Sequence, residues 1–286
     1  MASLTLNDLP RFSPWPARLL GLEPWTRRLK TPVEVTREFE HEKWGPLLEK
    51  VRAAKTPATL QEVNEWMLND APPSLCSINE RLELISAMDA YRRYLEMVKC
   101  ALDQHGPASA LVELGAGYGA VLLGLAQMEP YTRMRIMAGE FSAAGVELLR
   151  RLAAAQGIAI AADHCDLASP GITALTIPPD SIIFTSYAAH YSPKLPAAFV
   201  ERLSALQPRA VVHFEPCYEH CERDTLIGLM RRRYIEVNDY NTNLITLLRE
   251  HHERGLIKII EERPAVFGSN PLLPASVLAW APRQAD

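Results

Sequence analysis

Three carboxylates in the chain stand at or near the ends of apolar runs: Glu113 in "ALVEL", Glu140 closing "RMRIMAGE" and Asp166 in "HCDL". Glycines follow the first of them at alternate places, Gly115, Gly117 and Gly119 in "LVELGAGYGA". Glycines so spaced let a backbone loop come close to a bound molecule. A second group of polar residues follows downstream. "FTSYAAHYSP" offers Tyr187, His190 and Tyr191, and "VVHFEPCYEHCE" offers His213, Glu215, Glu219 and His220. "RRRYIEVNDYNTNL" adds Asn238, Tyr240, Asn241 and Asn243, an unusually polar set for a helical region. Histidine titrates near neutrality and carboxylates can take protons or hold cations, so this group suits acid–base work or a polar ligand.

The glycine stretch fits two templates. With Ala120 as third member it spells G-x-G-x-x-A, the loop that cradles a dinucleotide pyrophosphate. With Gly119 it spells G-x-G-x-G, which suits S-adenosylmethionine. The acids separate the two. A pyrophosphate needs a helix N-terminus and one acid for a ribose, and further carboxylates repel it. S-adenosylmethionine has no phosphate and presents a sulfonium, an ammonium, a ribose diol and an adenine amine, all of which acids suit.

The elements that would position these residues are readable. From about Ser109, short apolar runs alternate with helical segments, which predicts parallel strands with crossover helices. The strands are expected in "ALVEL", "RMRIMAGE", "IAIAADHCDL", "DSIIFTSYAA" and "RAVVHFEP". "SAAGVELLRRLAAAQG" is a helix capped by Ser142 and stopped by Gly157. After a helical stretch over 221–254, "LIKIIEERPAVFG" and "ASVLAWAPR" predict a terminal β-hairpin. The expected fold class is α/β: a doubly wound, mostly parallel seven-stranded sheet with a C-terminal antiparallel hairpin. An N-terminal helical cap over 1–106 precedes this core of 107–286. In the cap, Thr59 with Glu62 and Ser77 with Glu80 spell capping boxes, and Pro46 predicts a helix break. Residues 1–30 carry Pro10, Pro14, Pro16 and Pro24 with Trp15 and Trp25, and read as an arm that packs its aromatics elsewhere.

With those motifs in place, residues 109–283 resemble the class I S-adenosylmethionine-dependent methyltransferase family. "VELGAGYG" is similar to its first motif, "AGEFS" to its second-strand end, and "HCDLAS" to its third-strand end. The last segment resembles its antiparallel sixth and seventh strands. The resemblance implies that Glu113, Gly115, Ala116 and Gly117 hold the methionine part, Glu140 with Phe141 the ribose, and Asp166 with Leu167 the adenine. It also implies an acceptor over the fourth and fifth strands, under a lid of added helices.

For the reaction, His190, His213 and Glu215 are the candidate bases. Tyr187, Tyr191, Glu219, Asn238, Tyr240 and Asn241 are candidate acceptor contacts. His190 also fits a turn histidine, and His213, alternating with Val212 and Phe214, also fits a core histidine. The expected acceptor is small and polar: an amine, amino acid, peptide or hydroxyl. A NAD-dependent oxidoreductase or a non-catalytic cofactor-binding scaffold is the alternative. Cys217, His220 and Cys221 lie close in sequence, but a structural zinc site normally adds a second spaced pair, so no metal is expected. Arg231–Arg233 and His251–His252 read as solvated helix positions.

A net charge of −4 gives no electrostatic case for nucleic acid or anionic membrane as partner. No signal peptide or membrane span is expected, and five irregularly spaced cysteines fit reduced thiols in a cytoplasmic protein. The tryptophan-bearing arm suits wrapping of the core or a homodimer contact.

Overall fold

The structure, a computed structural model, describes residues 4–27, 29–69 and 71–283. Met1–Ser3 of the arm, Arg28, Asp70 at the end of the second helical segment and Gln284–Asp286 lie outside the described residues. The elements run α1 (Leu9–Phe12), α2 (Trp15–Leu19), α3 (Pro32–Thr36), a π-helical stretch Arg37–Trp44, α4 (Gly45–Ala53), α5 (Leu60–Leu68), β1 (Ser74–Ile78), β2 (Arg81–Ile85) and α6 (Ala87–Asp103). Then follow β3 (Ala110–Leu114), α7 (Ala120–Leu125), β4 (Arg135–Glu140), α8 (Ala143–Ala155), β5 (Ile160–His164), β6 (Ile182–Ser186), α9 (Phe199–Ala205) and β7 (Ala210–Pro216). Helices α10 (Leu226–Val237) and α11 (Leu244–Glu253) lead into β8 (Ile257–Gly268) and β9 (Ala275–Pro282).

One sheet holds nine strands in the order β2-β1-β8-β9-β7-β6-β3-β4-β5. Strands β5, β4, β3, β6 and β7 are parallel neighbours, and β9, β8, β1 and β2 add antiparallel. The expected seven strands are there, with two more on the edge of β8. Strand β3 is buried at every residue, which explains its unbroken apolar run. From β3 the chain winds outward to β4 and β5, then returns to β6 on the other side. That reversal opens a crevice at the carboxyl ends of β3 and β6, the usual ligand position of such sheets. Leu122, Leu125, Val146 and Leu149 from α7 and α8 pack with Leu95 and Val98 of α6 in one core cluster. Phe199 and Leu203 of α9, with Leu244 and Leu248 of α11, pack in another.

The N-terminal third departs from an all-helical cap. Ser77 and Glu80 spell a capping box, yet the segment is the β1–β2 hairpin, paired Ser74 to Ile85 through Ile78 to Arg81. Its two turn residues, Asn79 and Glu80, have φ of 46° and 66°. That is the backbone a two-residue hairpin turn requires. Helix α6 starts later, where the Ser86 side chain accepts from the Asp89 N–H. The boundary at 106 therefore does not part a cap from the sheet. Thr59 and Glu62 do form their reciprocal cap on α5. Pro46 does not break its helix: it sits in the first turn of α4, directly after the π-helical stretch. There a missing N–H costs nothing.

Arg231 corrects the expectation of a solvated basic run. Its guanidinium is buried between α10 and the hairpin turn. It donates to both Glu80 oxygens at 2.8 Å, to the Pro271 carbonyl at 2.9 Å and to Ser77 Oγ at 3.2 Å. Arg232 stacks over Tyr218 and only Arg233 is well exposed. Arg231→Ala is expected to lower unfolding free energy by about 2–4 kcal/mol, since it strands these acceptors around a cavity. Denaturant unfolding measures this; a loss below about 0.5 kcal/mol would show the staple to be dispensable. His251 is likewise buried rather than solvated, with Nδ1 bonded to the Leu247 carbonyl at 2.8 Å.

Candidate functional site

The crevice at β3 and β6 is a cavity of about 390 Å³. Its lining follows the sheet order. Asp166 and Leu167 come from the end of β5, Glu140 and Phe141 from β4, and Glu113, Gly115, Ala116 and Gly117 from β3 and its loop. Tyr187, Ala188 and Tyr191 come from the turn after β6. All eight expected cofactor residues thus line one cavity. Pro32, Val35, Phe39 and Trp44 cover it from the N-terminal segment.

The local structure explains the acids. Glu113 Oε2 accepts the Leu122 N–H at 3.1 Å, tying β3 to the first turn of α7. Burial pushes its carboxyl well up, which the Leu122 bond only partly offsets; Glu140 and Glu215 add to the rise. Glu140 Oε2 accepts the Gly117 N–H at 2.9 Å, and its Oε1 accepts from Ser142 N and Oγ at 3.0 and 2.8 Å. Asp166 Oδ1 accepts the Ala168 N–H at 2.9 Å. Among the described residues none of the three makes an ion pair with a cationic side chain. Three carboxyl groups at the β3, β4 and β5 end of the cavity, none ion-paired to a side chain among the described residues, suit a guest that is cationic or offers hydrogen-bond donors there.

The loop leaves room for it. Gly115 has φ +85°, and a Cβ there would collide with Ala188. Gly117 has φ +57°, and a Cβ there would press on the Trp44 indole at 3.1 Å. Among the described residues the buried Trp44 Nε1, in the cavity wall, has no hydrogen-bond partner. It is a spare donor for an anionic or carbonyl group of a guest.

The expected catalytic set divides. His213 is a correction: it is fully buried in the core and does not line the cavity. Its Nε2 accepts from Trp280 Nε1 at 3.1 Å, so Nδ1 carries the proton toward Thr185 Oγ1 at 3.0 Å. Burial drops its pKa to about 4, with Glu215 opposing, so it stays neutral. Glu215, also fully buried, faces the turn after β6. Its Oε1 accepts from Ala188 N and Ala189 N at 2.9 Å each. Its Oε2 accepts from His190 N at 3.2 Å and lies 3.3 Å from His190 Nδ1. His190 is packed behind the cavity wall against Tyr187, Tyr191 and Tyr240. The two positioning residues fix the turn that carries Tyr187 and Tyr191.

The expected acceptor contacts divide as well. Tyr187 and Tyr191 line the cavity. Asn241 does not: its Nδ2 donates to the Ser192 carbonyl at 2.7 Å, and its Oδ1 accepts from Asn243 N and Leu244 N. It staples an irregular loop. Asn238 bonds back to Tyr234 at the end of α10, and Glu219 accepts from Thr246, both away from the cavity. Tyr240 stands behind Tyr191, their rings 5.6 Å apart. Cys217 and Cys221 direct their thiols at backbone carbonyls, and His220 bridges Ser276 and Glu262.

A lid of N-terminal helices is expected, but the sequence does not single out the residues that cover the cavity, Pro32, Val35, Phe39 and Trp44. Phe39 packs on Tyr191 at 4.8 Å, and Glu38 accepts from Tyr191 Oη at 3.0 Å. Lys30 and Lys43 hold Glu38 at 2.7 and 2.6 Å, which outweighs burial and keeps its carboxyl down at about 2. Glu40 accepts from Ala144 N at 3.0 Å, fastening the segment to the first turn of α8. The helical spacing of Val35 and Phe39 marks an apolar face, but nothing local says what it covers.

No family model and no curated protein sequence matches the chain. Solved structures similar to it include a geranyl diphosphate methyltransferase with geranyl diphosphate and sinefungin, at 12% identity and TM-score 0.49. That likeness covers 83% of this chain and 98% of the other. A putative sarcosine dimethylglycine methyltransferase from Galdieria sulphuraria matches at 14% identity and TM-score 0.49, over 71% and 89%. A geranyl diphosphate C-methyltransferase from Streptomyces coelicolor A3(2), with S-adenosyl-L-homocysteine, matches at 11% and 0.48, over 69% and 81%. At these identities the likeness is one of fold.

Proposed function

We propose that this chain, whose sheet joins five parallel strands to a C-terminal antiparallel hairpin, transfers a methyl group from S-adenosylmethionine to a small-molecule acceptor. The observation that carries the reading is the run of three unpaired carboxylates across the ends of β3, β4 and β5, in one cavity with the glycine loop. When bound, S-adenosylmethionine supplies a methyl on a positively charged sulfur, which needs no activation as a leaving group.

The chain's own residues bind, orient and exclude water. Glu140 takes the ribose hydroxyls and Asp166 the adenine amine, with Phe141 and Leu167 against the ring. Glu113 supports the ammonium, and the free indole N–H of Trp44 serves the methionine carboxylate. Tyr187 and Tyr191, on the turn after β6, would wall the acceptor side of the bound cofactor. Val35 and Phe39 close the space, so positioning and desolvation supply much of the rate. His190 and Glu215 act here by holding the turn rather than by touching the acceptor.

Glu140→Ala is expected to weaken S-adenosylmethionine binding by about 1–3 kcal/mol, the worth of charged hydrogen bonds to the ribose. Calorimetry with S-adenosylmethionine, S-adenosylhomocysteine and NAD provides the test. Unchanged affinity in the variant would refute the ribose assignment. Binding of NAD, with neither sulfur compound bound, would replace the methyltransferase reading by the oxidoreductase one.

A further inference from the structure

The cavity is electrically two-ended. Its three lining carboxylates lie at β3, β4 and β5, and its two lining ammoniums, Lys30 and Lys194, lie at the β6 side. Lys30 stands over the Tyr191 ring at 4.5 Å, and Lys194 follows Tyr191 by three residues. Lys43 joins this end through Tyr191 Oη at 3.1 Å. Among the described residues the carboxylate ion-paired with these ammoniums, Glu38, does not line the cavity; its oxygens are taken by Lys30, Lys43 and Tyr191, while Asp239 accepts from the Lys30 backbone N–H and also lies outside the lining. Lys194 is exposed and makes no ion pair among the described residues. The charges that line this end of the cavity among the described residues, Lys30 and Lys194, are thus both positive. Between the charges the walls are apolar or aromatic: Pro32, Val35, Phe39 and Tyr191.

Resting on the methyltransferase reading, we infer that the acceptor is an anion with an apolar or aromatic body, its acidic group held at Lys194. This departs from the expected polar or amine acceptor. The residues that suggested it, Asn238, Asn241 and Glu219, do not line the cavity, and each bonds backbone elsewhere. Among the described residues no carboxylate lines the cavity on the β6 side, where Glu215 lies behind the wall with its oxygens on the Ala188, Ala189 and His190 N–H groups, so an ammonium-bearing acceptor would meet the lysines instead. Like charges so placed select against the wrong partner. A carboxylate and a phosphate share the required chemistry.

The test uses three probes with one ring and different charge, titrated calorimetrically into the full-length protein saturated with S-adenosylhomocysteine. Indole-3-acetate carries −1, indole-3-acetamide is neutral and tryptamine carries +1; indole-3-glycerol phosphate compares phosphate with carboxylate. The anions are expected to bind at least about threefold tighter than the amide, and tryptamine weakest, as for a partly solvated charge pair. Lys194→Glu, at an exposed position, is expected to cancel or reverse that order while leaving S-adenosylhomocysteine affinity within about twofold. Tryptamine binding as tightly as the acids would overturn the inference, as would failure of both anions to bind at millimolar concentration. An unchanged order in Lys194→Glu, or an equal loss of S-adenosylhomocysteine, would remove Lys194 from the acceptor. Failure of S-adenosylhomocysteine itself to bind would instead sink the methyltransferase reading, and this inference with it.

Discussion

Gly115→Ala is expected to abolish measurable binding of S-adenosylmethionine and to lower stability by about 2–4 kcal/mol. Two costs combine. The residue sits at φ +85°, where a Cβ is strained against its own backbone. That Cβ would also collide with the Ala188 side chain across the cavity. Neither wall can yield cheaply. The Gly115 and Ala116 N–H groups both bond the Gly139 carbonyl, at 2.7 and 2.9 Å. The Ala188 N–H is held by the buried carboxylate of Glu215. Relief of the clash must open one of these and move the glycine loop or the acceptor wall. Gly157→Ala is the control: φ is +67° and a Cβ there meets nothing within 4 Å. It should cost about 1 kcal/mol of stability and leave cofactor affinity alone. Should Gly115→Ala behave like Gly157→Ala, close approach at the loop would be unimportant.

The parallel half of the fold was legible because its signals are local. Apolar runs end in an acid and lead into a cap or a glycine: "ALVEL" into Gly115, "RMRIMAGE" into Ser142, whose side chain caps α8 as expected. The errors arose where one spelling serves two structures. Ser77 and Glu80 fit a helix start, but Asn79 and Glu80 adopt positive φ and fold the segment back as a hairpin. What tips the balance is the open edge of β8, where Ser77 pairs with Gly268, almost 200 residues away. The polar run "NDYNTN" fits a ligand site, but its amides satisfy the carbonyls and N–H groups of an irregular segment. Short polar side chains do this wherever the backbone leaves regular structure. A lid of added helices is implied by the resemblance, but which residues form it was out of reach for the same reason: Glu38 and Tyr191 meet across 153 residues. Local patterns show that a face is apolar, and only the assembled sheet shows what it covers.

Glu215→Ala is expected to be the most damaging single change behind the acceptor wall, costing about 3–5 kcal/mol of stability. Truncation would orphan the N–H groups of the half-buried Ala188 and of the buried Ala189 and His190, together with the buried His190 ring. The gentler variant Glu215→Gln separates charge from shape. Its carbonyl oxygen can keep the Ala188 and Ala189 N–H groups, but its amide turns donors toward the His190 N–H. A pH signature follows. Burial by itself raises the Glu215 carboxyl, but the His190 bond and charge and the Ala188 and Ala189 N–H groups outweigh it and hold it low. A folded pKa below the unfolded value of about 4.3 adds stability that is complete above that pH. This stability is lost as pH falls through the folded pKa. The stability gap between the parent protein and Glu215→Gln should therefore be widest near neutrality and shrink below about pH 4. Denaturant unfolding at pH 7 and pH 3 measures it. A gap equal at both would mean that the clamp works by shape alone. Turnover should follow the turn: with Tyr187 and Tyr191 loosened, kcat should drop more than cofactor affinity, since the glycine loop and the three acids are left in place.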